Sequence, residues 1–325
     1  MKISNPFFKK KKNIYLHDIF HLLNVKPTYK NQKIDGINDL SHSSKNEISF
    51  FNSLKYQNDL KATKSKFIIT HVKYKKLLDS NFSPIYVENI LKSVANITYL
   101  FYPNSLDDLV DFSVSNPKKH LFKNTKFGKN VLIGKSVKIG KKTCIGHNSI
   151  IESNVIIGDG TEIGSNVLIK NSIIGNNVKI QDGAVIGKNG FGFFPNQKKN
   201  KRYPHVGIVI IGDHSEIGCN NTIDRGSISN TIIGSNTFID NQVHIAHNVK
   251  IGNNCIITGQ VGFAGSSKMG NNVQVGGQSG ISGHVKIGNN VKIGGGSGVI
   301  KNIPDNSNVM GYPAKNLRNF LKENK

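Results

Sequence analysis

The feature that most restricts what this chain can fold into is a period of six. From Phe127 an apolar residue returns at every sixth position, at Ile133, Ile139, Ile145, Ile151, Ile157, Ile163 and Ile169, commonly followed by Gly. The register slips by one, resumes at Ile174, Ile180 and Ile186, is interrupted near residues 190–207, and returns at Ile211, Ile217 and Ile223. After the short insertion GSISN it runs unbroken from Ile233 through Ile239, Ile245, Ile251, Ile257, Phe263, Met269, Val275, Ile281, Ile287 and Ile293 to Val299. A helix needs spacings of three and four and a half-buried strand needs alternation, so neither explains a spacing of six. One short strand and one turn per unit does, with three units closing a triangular coil of eighteen residues. Such coils stack at about 4.8 Å, which makes residues eighteen apart vertical neighbours, and about eight coils fit the repeat.

Residues outside the repeat have a different texture. Within 1–122, Ile14 to Val25 reads as an amphipathic helix, and 48–51, 66–70 and 84–87 read as strands, predicting a small α/β domain. The repeat domain is expected over 123–303. In 304–325, Pro304 and Pro313 bracket a loop, and a short basic helix is predicted from Ala314. Its Leu317 and either Phe320 or Leu321 face inward, leaving Lys315, Arg318 and Lys322 in solvent.

The formal charge of +23 would suit a nucleic acid or another polyanion. Arginine, the residue for bidentate base and phosphate contacts, occurs only at Arg202, Arg225 and Arg318, so no nucleic-acid partner is expected. Lys9 to Lys12 read as a solvated run. Cys144, Cys219 and Cys255 lack C-x-x-C spacing and fall inside the repeat, where they read as packing residues. No stretch of about 18 apolar residues is present to span a bilayer, and a cytoplasmic protein without stable membrane insertion is expected.

A β-helix shaft is scaffold, so chemistry belongs to the groups that break its pattern. His247 takes the third place of the unit beginning at Ile245, with Asp240 seven residues earlier. His284 lies thirty-seven residues beyond His247, two coils and one position, on the same side of the prism and roughly 10 Å along its axis. One coil above His247 is Gly265, whose missing side chain admits a ligand to its backbone N–H. A base, a backbone donor above it and a second imidazole suit acyl transfer, while the plain alternative leaves His247 a polar corner residue. His244 and His247 lack the three-histidine spacing of a zinc site, so no metal is expected. His205 and His214, at the end of the interruption, are expected in solvent. The interruption itself projects from the shaft, and its Phe191, Phe193 and Phe194 either line an acyl or sugar pocket or lie on a surface loop.

The stretch from TIDRGSISN through DNQVHIAHNVKIG and GFAGSS to ISGHVKIG resembles the signature region of the UDP-3-O-(3-hydroxyacyl)glucosamine N-acyltransferases of lipid A biosynthesis, hexapeptide-repeat acyltransferases. GKNGFGF at 187–193, ISFFNSLKY at 48–56 and VMGYPAK at 309–315 extend the resemblance. It implies a left-handed parallel β-helix, an exception to the usual handedness of crossovers. It also implies an enzyme that moves a 3-hydroxyacyl chain from acyl carrier protein, where phosphopantetheine holds it, to the 2-amino group of a UDP-3-O-acylglucosamine, with no bound cofactor. Residue by residue it makes His247 the general base, Asp240 its associated carboxylate, Gly265 the oxyanion donor and His284 the histidine near the donor. Phe50 and Tyr56 match aromatics that hold uracil. The family commonly has Asn at the place of Ser53, whereas here the Asn is Asn52, so either residue is a candidate for the uracil contact. A homotrimer with clefts between subunits is implied, and Lys315, Arg318 and Lys322 would receive the acidic carrier protein. The alternatives are O-acylation of UDP-N-acetylglucosamine on the same fold and a zinc hydratase. A non-catalytic solenoid would show a regular Thr array, which this sequence lacks.

Overall fold

The computed structural model describes residues 5–106, 108–122, 124–194 and 200–323. The chain divides into two compact units, one of residues 1–7, 108–191 and 207–325 and one of residues 8–107 and 192–206.

The larger unit is a left-handed parallel β-helix whose three faces are sheets of eleven, nine and eight strands, mostly two residues long. Ile145 pairs with Ile163 and Ile151 with Ile169, the eighteen-residue spacing of a closed coil. At the slip the spacing is seventeen, with Ile157 on Ile174 and Ile169 on Ile186. The GSISN insertion widens one coil to twenty-two, so that Ile223 pairs with Ile245. The second residue of nearly every strand points inward, and these isoleucines with Phe263, Met269 and Val275 form one continuous buried column. Fully burying one such side chain is worth about 1.5–3 kcal/mol, so the period of six is itself the folding drive.

The corners explain the abundance of Asn. Asn148, Asn166, Asn236, Asn254, Asn272 and Asn290 turn the chain with φ between 53° and 58°, a left-handed conformation that Asn tolerates better than most residues. Their amides also stack: Asn236 donates to Asn254 at 2.9 Å and Asn272 to Asn290 at 3.1 Å. Residues 108–122 belong to this unit. Asp111 accepts from the Ser153 N–H and hydroxyl at 2.8 and 2.6 Å, and Ser115 bridges Ile133. At the other end, Lys315–Asn316 runs antiparallel to Asn308–Met310.

The smaller unit holds a four-stranded parallel sheet of Gly36–Ile37, Glu47–Phe51, Phe67–Thr70 and Ser83–Tyr86. Helix α1 (Leu16–Leu23) starts two residues later than the pattern suggests, because Ile14–Tyr15 pairs antiparallel with Lys33–Ile34. The Asp18 carboxylate then accepts the Tyr15 N–H at 2.7 Å, satisfying a donor at the helix start. Helix α2 (Gln57–Ala62) is short, and helix α3 (Ile90–Phe101) packs against α1 and the sheet through Ile90, Val94, Ile97 and Phe101. The hairpin of Phe193–Phe194 and Lys201–Arg202 also belongs here. One expectation is corrected in this unit: His205 is fully buried, not in solvent. Its Nδ1 lies 2.9 Å from the Tyr203 carbonyl, and its ring occupies the space that a side chain at Gly192 would need. His214 is exposed at a left-handed corner, as expected. The last helix, α4 (Leu317–Glu323), is part of the larger unit, with Leu317 and Phe320 half-buried and Leu321 exposed.

Candidate active site

Three coils of the nine-stranded sheet carry the candidate site. His244–Ile245, Gly262–Phe263 and Gly280–Ile281 are stacked in register, followed by Gly298–Val299. Their first residues face outward, so His244 is followed up the axis by glycines. A side chain at Gly262 or Gly280 would meet nothing within 4 Å, which leaves a smooth floor, whereas at Gly298 it would overlap the Tyr312 ring. An open groove of about 750 Å³ runs over this floor, bordered by His247, Gly265, Phe191 and Tyr312. Its size falls within the usual range for a small-ligand site.

His247 stands on the corner that follows strand His244–Ile245, and Gly265 lies one coil above it. The Ser266 N–H donates to the His247 carbonyl at 2.9 Å, and the His284 N–H to the Gly265 carbonyl at 3.2 Å, so the three coils are stitched together here. A Cβ at Gly265 would sit 2.7 Å from Cε1 and 2.8 Å from Nε2 of His247. Real contacts are never that short, so only glycine lets the imidazole lie against this backbone. The Gly265 N–H donates to no other group among the described residues. An imidazole packed against a glycine whose backbone donor is uncommitted is an arrangement that suits acyl transfer.

His284 is exposed and holds the left-handed corner itself, with φ of 60°, in the slot occupied by Ser266 and Asn248 one and two coils below. Asp240 is placed differently. It is exposed and precedes strand His244–Ile245, while His247 follows it, so one side of the prism separates them. Its carboxylate leans toward Gly259, whose absent Cβ would be 3.2 Å away. The protomer therefore brings His247, Gly265 and His284 to one corner and puts Asp240 on the previous one.

The carboxylate beneath the histidines is Asp224, which the sequence reading passed over. It is 8% exposed, pairs with Lys188 across a shift in register, and lies 3.9 Å from Nε2 of His244. Burial pushes its pKa up to about 6, although His247, Lys188 and Arg225 pull the other way. Arg225 is 1% exposed and donates to Asp108 at 3.0 Å, and Asp108 also meets Lys170 at 3.3 Å. Burial opposes ionisation of Asp108, yet these two cations outweigh it and hold its pKa below the ordinary value. A buried charged column therefore runs along the shaft and ends under His244 and His247. Burial lowers the pKa of His244, favouring its neutral form.

Asn248 is the second residue missed. It occupies an ordinary corner slot with φ of 63°, yet it is buried and its Oδ1 lies 2.8 Å from Nδ1 of His247.

The remaining candidates lie apart. Phe50 is half-buried on strand Glu47–Phe51, and Tyr56 packs on the cluster of Leu40, Phe51, Leu60 and Ile68, with burial raising its pKa. The Ser53 hydroxyl accepts the Lys55 N–H at 3.4 Å, and the Asn52 carbonyl accepts the Tyr74 hydroxyl at 3.0 Å, leaving the Asn52 amide side chain half-buried. Phe191 is 75% exposed at the groove, and Phe193 lies in the hairpin of the smaller unit. Lys315, Arg318 and Lys322 are exposed, with Lys315 ion-paired to Glu323. Among the described residues no cluster of three or more His, Cys, Asp or Glu is placed to hold a metal ion.

The sequence matches the family described as bacterial transferase hexapeptide (six repeats) over residues 136–171, 230–265 and 266–301. This is a hexapeptide-repeat chain that resembles the UDP-3-O-acylglucosamine N-acyltransferases. A protein of that name from Agrobacterium fabrum is 41% identical over 88 residues, 27% of this chain and 22% of the relative. Another from Leptospira biflexa is 50% identical over 62 residues, 19% of this chain and 18% of the relative. The matched stretches thus span about a fifth of the length of these curated relatives. Among solved structures, the UDP-N-acetylglucosamine acyltransferase of Campylobacter jejuni superposes with a TM-score of 0.53 at 25% identity, covering 59% of this chain and 73% of that one. The corresponding enzyme of Francisella novicida gives 0.53 at 27% identity, covering 61% and 73%.

Proposed function

We propose that this chain is an N-acyltransferase that moves a 3-hydroxyacyl group from acyl carrier protein to the 2-amino group of UDP-3-O-(3-hydroxyacyl)glucosamine. The observation that carries the proposal is the packing of Gly265 against the His247 ring, with the Gly265 N–H engaged by no acceptor among the described residues, at the edge of an apolar groove. In the reaction the amine nitrogen attacks the thioester carbon, and Nε2 of His247 takes the proton that the amine loses. The negative charge on the former carbonyl oxygen is met by the Gly265 N–H, a contribution whose loss typically costs about 100- to 1,000-fold in rate. Collapse forms the amide, breaks the C–S bond, and returns the proton from Nε2 to the departing thiolate. His284, two coils up, is positioned for the arm that carries the donor, and the acyl chain lies along the side-chain-free floor at Gly262 and Gly280.

Phe50, Tyr56 and either Asn52 or Ser53 are assigned to the uracil of the UDP-sugar, and Phe191 and Phe193 to its sugar or acyl end. Asp240 serves the site from its own corner, and the enzyme works as a cytoplasmic homotrimer. Among the described residues no helix is long and apolar enough to cross a membrane. The acidic carrier protein docks on α4 through Arg318 and Lys322, with Lys315 released from Glu323. The structural neighbours, named as UDP-N-acetylglucosamine acyltransferases, keep O-acylation of that sugar as the second reading. The higher identity to proteins named N-acyltransferases favours the first.

Turnover of purified protein with 3-hydroxyacyl carrier protein and UDP-3-O-acylglucosamine tests the reading, with His247→Ala alongside. Wild type is expected to add one acyl mass to the sugar nucleotide, and His247→Ala to lose at least about 100-fold in kcat. Acylation of UDP-N-acetylglucosamine instead would replace the acceptor, and a fully active His247→Ala would remove the base.

A further inference from the structure

Resting on His247 as the base, we propose that Asn248 is its positioning residue and that the GSISN insertion (226–230) holds Asn248 in place. The amide of Asn248 has no freedom to flip. Its Nδ2 donates to the Ser229 carbonyl at 2.7 Å and to the Ser229 hydroxyl at 2.9 Å. Its Oδ1 accepts the Ser227 N–H at 3.1 Å and the Ser227 hydroxyl at 2.7 Å. Its own N–H donates to the Thr231 hydroxyl at 2.9 Å. A backbone donor on one end and a backbone acceptor on the other leave one orientation, with the amide oxygen toward His247.

That orientation decides the tautomer. An amide oxygen only accepts, so Nδ1 of His247, 2.8 Å away, carries the proton and Nε2 carries the lone pair. Nε2 is also on the ring edge that packs against Gly265, since a Cβ built there would lie 2.8 Å from Nε2 and 3.2 Å from Nδ1. The base is thereby set before substrate arrives, and when Nε2 takes a proton the Nδ1–H bond to Asn248 becomes charge-assisted and shorter. Corner asparagines elsewhere, such as Asn254 and Asn272, are exposed and bond to their neighbours in the ladder. Asn248 is buried, and its partners come from the one insertion of this type in the repeat.

Of the charged groups near the ring, Asp224 interacts with it from the coil below, together with Lys188 and Arg225, and His244 lies on the strand that leads into it. Among these the carboxylate is Asp224, so an amide, not a carboxylate, sits on Nδ1. Asn248→Asp keeps the acceptor and adds a charge that favours the imidazolium. Asn248→Ala removes the acceptor.

The test combines 15N NMR of the His247 ring in the full-length protein with pH–rate profiles of wild type, Asn248→Ala, Asn248→Asp and His247→Ala. Wild type is expected to show the Nδ1–H form at high pH. Asn248→Ala is expected to shift it toward Nε2–H and to lower kcat about 100-fold with KM little changed, while thermal melting confirms that it folds. Asn248→Asp should recover most of kcat and move the acidic limb upward by about one pH unit. An Nε2–H tautomer in wild type would overturn the assignment, as would a wild-type kcat and pH profile in Asn248→Ala beside an inactive His247→Ala. A fully active His247→Ala would instead remove the base reading, and the NMR signal would still decide whether Asn248 locks the ring.

Discussion

Asp224 shows how a single residue carries conflicting demands. A carboxylate that is 8% exposed and titrates near 6 is held ionised at neutral pH against its burial. Its folded pKa lies above the ordinary 3.8, so the folded state favours the protonated acid. Stability from this group is greatest at low pH and is lost as pH rises from about 4 to about 6, in total by about 3 kcal/mol. Asp224→Asn, which removes the charge and keeps the shape, should therefore raise the denaturation midpoint at pH 7.5 and converge with wild type near pH 4. Denaturant titrations at the two pH values check this. A variant less stable than wild type at pH 7.5 would mean that the attractions of Lys188, Arg225 and His247 exceed the burial penalty. If the variant is stabilised and yet slower, the charge under the histidines is retained for the reaction and not for the fold.

At the scale of elements, the insertion that separates one coil from the rest can be tested by removal. Without residues 226–230 the chain would read Ile223, Asp224, Arg225, Thr231, Ile232, Ile233, the same length as Ile169, Lys170, Asn171, Ser172, Ile173, Ile174, where a seventeen-residue coil already closes. Thr231 and Ser172 are both fully buried in this pattern. Arg225 would have to take the left-handed turn that Asn171 makes at φ 46°, a strain of roughly 1–2 kcal/mol. The deletion should keep the β-rich circular dichroism spectrum and lose activity at least as severely as Asn248→Ala. Loss of the fold would show instead that the insertion is structural. This insertion also marks the limit of what the sequence discloses. The period of six was legible because every unit obeys the same local geometry, and His247, Gly265 and His284 fell on one corner because stacking is arithmetic. Asn248 was not legible, since Asn is the default residue of that slot on steric grounds alone and its burial depends on a loop from the preceding coil. Asp224 looked like one more polar residue after an inward Ile, and only the column below it makes it special. His205 was misjudged because burial of a ring in an irregular segment depends on Gly192, a contact that no periodicity encodes.

For the whole molecule, the shaft is nearly one-dimensional: each coil rests on two neighbours, and the outward faces of its sheets find no partner within the coil stack. On the eleven-stranded sheet Phe238 and Ile256 are in register on adjacent strands and are 48% and 46% exposed, side by side. Two apolar side chains stacked on a flat face mark a surface that another copy of the chain would cover, and the proposed homotrimer supplies one. A monomer carrying a formal charge of +23 has no electrostatic reason to self-associate, so apolar contact of this kind must outweigh the repulsion, and added salt should strengthen the assembly by screening it. Light scattering after size exclusion is expected to give three times the 35.7 kDa of the chain, with the trimer favoured further as salt rises. Phe238→Lys combined with Ile256→Lys should release monomer while preserving the circular dichroism spectrum, because neither side chain belongs to the internal column. If the double variant stays trimeric, the assembly uses another face. If wild type is monomeric at all salt concentrations, the reaction must be completed within one protomer, and Asp240, a corner away from His247, has no place in it.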